Sequence, residues 1–155
     1  MPGARRWRTL RTLLAALTTL VAVGVLASPA HAVDGEFNIP AQSSRGGGGK
    51  VWGTYTFTSK YSFTYAAQLK DICPGDDLGV SFIFAINTKP AANSYTTDVR
   101  GLNQAGCDHT SGTSGTINSP YKIDNMQVLV YFTNGSNWTY EFGAGSALKD
   151  NPYVS

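Results

Sequence analysis

The sequence predicts an all-β protein, an antiparallel β-sandwich of about six to seven strands with one disulfide, preceded by a flexible N-terminal tail. Three observations predict it. Apolar and polar residues alternate with period two over residues 50–58, 61–69 and 78–87, the repeat of a strand buried on one face. Asn134-Gly135 stands between two further strand-like runs, and that dipeptide favours the positive φ angles of a tight hairpin turn. Cys73 and Cys107, the only cysteines, bracket two runs that can pair with each other. No amphipathic helical period, heptad or internal repeat competes with this reading, so the strands are expected to form two packed sheets.

Residues 1–32 are read apart from the domain. Arg5, Arg6, Arg8 and Arg11 precede an apolar run at 13–26 and then Ser28-Pro29-Ala30-His31-Ala32. A basic start, an apolar centre and small residues at a cleavage site make an export signal, cut after Ala32. The apolar run falls short of the roughly 20 residues that span a bilayer, and no second one follows, so no membrane anchor is expected. The expected location is secreted, extracellular. Four of the 12 Lys and Arg lie in this segment, leaving 8 against 10 Asp and Glu in the remaining 123 residues. The basic balance therefore belongs to the signal, and the scattered cations that remain exclude a nucleic-acid surface.

From residue 33 the elements follow in order. Residues 33–40 read as a short tail with apolar groups at Val33, Phe37 and Ile39, and residues 41–49, ending in Gly46 to Gly49, as a flexible linker. Such a tail can order in a partner's groove, main-chain hydrogen bonds giving affinity and alternate side chains filling pockets. The β-domain is expected over 50–143. Its first strand sets Val51, Gly53, Tyr55 and Phe57 against Trp52, Thr54, Thr56 and Thr58, and its second sets Tyr61, Phe63, Tyr65, Ala67 and Leu69 on one face. In 78–87, Val80, Phe82, Phe84 and Ile86 share a face, while Ile83 and Ala85 make the other less polar, as in a central strand. If 78–87 pairs with 94–102 as a hairpin, Cys73 and Cys107 meet at its open end. A bond there closes a loop of about 35 residues and stabilises by roughly 3 to 4 kcal/mol in the chain-entropy account. Residues 108–116 read as a polar, glycine-rich loop and 144–155 as an irregular end. A two-residue turn at Asn134-Gly135 would set Tyr131 opposite Trp138 and Leu129 opposite Tyr140, with their shared face in the core.

The chemical inventory is poor. His109 is the one histidine outside the signal, and its neighbour Asp108 is badly placed to orient the imidazole from behind. Glu36 and Glu141 are the only glutamates, and no spacing supplies the facing carboxylate that a glycosidase needs. Asp71, Asp76 and Asp77 match no calcium loop and read as turn residues. No enzyme activity, cofactor or metal is expected. Seventeen of the 18 aromatics lie outside the signal; alternation sends most to the core and leaves Trp52 as the surface aromatic.

This layout resembles the small adaptor subunit of the secreted umbrella toxin particles of filamentous actinobacteria: a short N-terminal peptide, here 33–40, a flexible linker to Gly49, and one compact β-domain. The resemblance implies a non-catalytic connector whose tail docks into a lectin subunit and whose β-domain holds a large toxin subunit. Val33, Asp34, Gly35, Phe37 and Ile39 would then carry the tail contact. Two other classes fit the same chain, a carbohydrate or cell-wall binding module using Trp52, and a secreted protease inhibitor using a loop near the disulfide.

Overall fold

Alternating side chains divide the chain between two antiparallel sheets. The computed structural model describes residues 33–72, 77–89, 93–98, 100–134 and 139–154, and every regular element among them is a strand. The expected signal at 1–32, Cys73 with the turn residues 74–76, the loop tip at 90–92 and the 135–138 connection lie outside the described residues.

The first sheet runs β1 (Val33–Gln42), β2 (Gly48–Ser59), β3 (Ser62–Ile72) and β7 (Thr110–Asn118) in the order β1-β2-β3-β7. In the second, β4 (Gly79–Lys89) is central, flanked on one side by β8 (Lys122–Asn134) and on the other by the short β5 (Asn93–Thr96) and β6 (Gly101–Asn103). Strands β9 (Thr139–Gly145) and β10 (Lys149–Asp150) pair with the far side of β8. Among the described residues there are ten strands, against the six or seven expected.

The core lies between the sheets and follows the predicted alternation in β2, β3 and β4. Val51, Phe57 and Phe63 from one sheet and Val80, Phe82, Phe84 and Ile86 from the other are all fully buried. Phe63 meets Phe84 edge-on at 5.0 Å between ring centroids, and Tyr65 meets Phe82 at 6.0 Å. Burying each such ring stabilises by about 1.5 to 3 kcal/mol, and each edge-on contact adds roughly 0.5 to 1.5 kcal/mol.

Several expectations need correction. Residues 33–42 form β1, antiparallel to β2 from Val33↔Phe57 to Gln42↔Gly48. Phe37, Ile39 and Ala41 alternate into the core, and that buried face fixes the segment as a strand. The glycine run is a tight turn and the start of β2. Ser43 donates its N–H to the Gly47 carbonyl at 2.9 Å, and Gly46 takes φ +93, a conformation that only glycine adopts freely.

The 108–116 loop is mostly strand, since β7 pairs with β3 from Ser62↔Asn118 to Lys70↔Thr110. Its inward positions are small and polar except Ile117, so it carries little apolar signal. At Gly115 the missing side chain leaves room for Tyr65, whose hydroxyl would lie 3.1 Å from a Cβ there. The 94–102 run is two strands joined by a bridge. Thr97 N–H donates to the Phe84 carbonyl and Arg100 N–H to the Phe82 carbonyl, keeping the hairpin with β4 intact across the gap. The irregular C-terminal end holds β10, and Asn151, 3% exposed, donates its side-chain amide to the Ser59 carbonyl at 3.1 Å.

Candidate functional site

The outer face of the second sheet is the largest departure from the sequence reading, and it carries the candidate site. Val128, Val130 and Phe132 of β8 point inward against β4. Leu129 and Tyr131 therefore point outward, opposite to the expectation that their face is core. The β8–β9 pairing is Asn134↔Thr139, Thr133↔Tyr140 and Tyr131↔Phe142, so the connection spans 135–138 instead of the two-residue Asn134-Gly135 turn. A bulge between Val130 and Tyr131 leaves Gly143 as the extra residue. Only glycine fits there, since a Cβ would stand 2.7 Å from the Phe132 ring and 2.9 Å from Ala41.

This register gathers aromatics on the solvent side. Tyr131 meets Phe142 at 5.6 Å and Tyr140 at 6.4 Å between centroids, both edge-on. Phe142 is 57% exposed and Tyr140 48%. Cross-strand partners extend the patch, Ile83 beside Leu129 and Leu102 beside Ser81. A depression of ≈ 360 Å³ lies among Ser81, Ile83, Thr97, Asp98, Tyr131 and Tyr140, with Asp98 its single charged side chain. Adjacent exposed apolar groups of this kind mark contact surfaces more often than they occur by chance.

The tail residues serve the fold. Phe37 and Ile39, expected in a partner's pockets, are 4% and 5% exposed inside this chain's own core. Gly35 faces the Tyr55 ring so closely that a Cβ would fall 2.1 Å from it. Val33 and Asp34 start β1 opposite Phe57 and Thr56. The tail's turn is tied to the second sheet, because the Glu141 carboxylate accepts from the Ser44 N–H and, at 3.0 Å, from its hydroxyl.

Trp52 is half-buried on the outer face of the first sheet, with the Lys50 ammonium 5.3 Å from its ring centroid. His109 is exposed in the turn before β7, and Asp108 forms an ion pair with Lys70 at 2.9 Å instead of orienting it. Asp77 and Asp108 take φ 58 and 62, left-handed turn conformations that aspartate tolerates. Asp71 is buried at the end of β3, and its carbonyl accepts from the Asp108 N–H at 2.8 Å. Among the described residues no group of three or more His, Cys, Asp or Glu is placed to hold a metal ion. In the core, burial, and then the Asp150 carboxylate, push the Tyr55 phenol above its ordinary value. No protein-family model, curated protein or solved structure matches this chain.

Proposed function

We propose that the chain is a secreted, non-catalytic adaptor that binds another secreted protein through the outer face of its second sheet. The observation that carries this is the cluster in which half-buried Tyr131 meets the exposed Tyr140 and Phe142. Tyrosine and phenylalanine are enriched at protein contacts because they give large rigid area for little lost rotamer freedom. Among the described residues Asp98 is the single charged side chain lining the adjoining depression, which suits the charge-poor centre of such a contact.

Of the sandwich's two outer faces, that of the second sheet carries the clustered aromatics. This fits the role implied by the resemblance to umbrella-particle adaptors, a link between a lectin subunit and a large toxin subunit, but moves its contact from the tail to the sheet. A bond between Cys73 and Cys107 belongs to the same reading. Asp108, next to Cys107, is hydrogen-bonded to Asp71, two residues before Cys73, which brings the two chain segments together, and an exported chain meets oxidising conditions.

The test is affinity capture from the culture medium of the native host with the tagged chain and its Tyr140→Ser/Phe142→Ser form. The expected result is a stoichiometric secreted protein retained by the first and lost by the second, with both forms melting alike. Equal capture by both forms, or capture by neither, contradicts the proposal. Self-association that disappears with the double substitution would make the partner a second copy.

A further inference from the structure

The register of the first sheet writes its outer face in rows. One row reads Asn38, Trp52, Gln68, Gly112; the next reads Pro40, Lys50, Lys70, Thr110; on the other side stand Glu36, Thr54, Ala66 and Ser114. Strands lie roughly 4.8 Å apart, so Asn38 and Gln68 flank the indole with about 10 Å between them. Both amides are exposed, and each offers two donors and an acceptor. Gly112 makes room for one of them, since a Cβ there would lie 3.0 Å from Gln68 Nε2. Lys70 is paired with Asp108, whereas Lys50 has no ion-pair partner among the described residues and rests over the indole.

We infer that this row is a binding site for a glycan chain that carries carboxylates, of the polyuronate type. Trp52 stacks on one pyranose ring, while Asn38 and Gln68 hydrogen-bond hydroxyls on either side of it. Lys50 swings from the indole to a sugar carboxylate, which frees the ring face and satisfies the unpaired charge; a cation–π contact at the surface is weak enough to be exchanged for an ion pair. Charge complementarity at Lys50 selects an acidic glycan. A protein partner fits this face less well, because its surroundings are hydroxyls (Thr54, Thr56, Thr64, Ser114, Thr116) instead of the clustered aromatics found on the opposite sheet.

The test is calorimetric titration of the full chain with a galacturonic acid tetramer and, in parallel, with a neutral glucan tetramer. Saturable binding of the uronate is expected, weakening as salt rises, with the neutral tetramer bound about tenfold more weakly. Trp52→Ala should abolish binding at an unchanged melting temperature, and Lys50→Gln should remove the preference for the uronate while leaving residual affinity for both. Absence of binding by either tetramer at millimolar concentration overturns the site, as does uronate affinity that survives Trp52→Ala. Equal affinity for the two tetramers in the unmodified chain overturns the acidic class. Because Tyr140 and Phe142 lie on the other sheet, their double substitution should leave this titration unchanged, so the glycan site and the protein contact fail independently.

Discussion

Gly49 of β2 meets Val80 of β4 across the sandwich so closely that a Cβ on Gly49 would stand 2.1 Å from Val80 Cγ2. At this point the bare backbone of Gly49 packs directly on the Val80 side chain. Gly49→Ala must therefore push the sheets apart or force Val80 off its rotamer, an overpacking effect of about 1 to 3 kcal/mol. Urea unfolding of the variant measures it. A loss near zero would return residues 46–49 to the role of a flexible linker.

Phe37 gives the companion prediction for β1. Its side chain is buried, so Phe37→Ala should cost about 3 to 5 kcal/mol, reduced to the extent that an edge strand can relax into the space. Deleting residues 33–40 should likewise lower the melting temperature, because β2 loses its hydrogen-bonded neighbour and the core loses Phe37 and Ile39. A dispensable tail would leave it unchanged.

If Cys73 and Cys107 are bonded as proposed, mass spectrometry of the folded chain should find no free thiol. Cys107→Ser should lower stability by about 2 to 5 kcal/mol, and reductant should produce the same loss in the unmodified protein and none in the variant. Two alkylatable thiols in the folded chain would contradict the proposed bond.

The Tyr55 phenol is neutral when protonated, and folding raises its pKa through burial and then through Asp150. A raised folded value means that its stabilising contribution is fully present below the unfolded pKa of about 10. That contribution is lost as pH climbs from there through the folded value. Unfolding followed between neutral pH and the alkaline range should show this fall, and Tyr55→Phe should flatten it. An unchanged alkaline slope in the variant would assign the fall to other groups.

What the sequence displays is bounded by what alternation encodes. In β2, β3 and β4 one face is much more apolar than the other, so the strand and its inward face are both legible from the residues alone. In β8, Val128, Val130 and Phe132 compete with Leu129 and Tyr131; alternation says which residues share a face but not which face turns inward. The Asn134-Gly135 cue then suggests a register that the 135–138 connection and the bulge at Gly143 displace, and that inversion hides the aromatic site. β7 is invisible to apolar periodicity because an edge strand with one buried Ile117 needs no more. The glycines at 46–49 look like entropy to be lost, whereas Gly46 supplies a left-handed turn and Gly49 a close approach. Their roles depend on neighbours distant in sequence, which no local pattern records.

The most direct test of the account places a photoreactive phenylalanine analogue at position 142 on the second sheet, or at position 116 on the outer face of the first, and irradiates each form in the culture medium of the native host. The account predicts a single cross-linked secreted protein from position 142 and none from position 116. Cross-linking to a protein from position 116 alone, or from neither position, would contradict the assignment of the Tyr131, Tyr140 and Phe142 face as the surface by which this chain joins a partner.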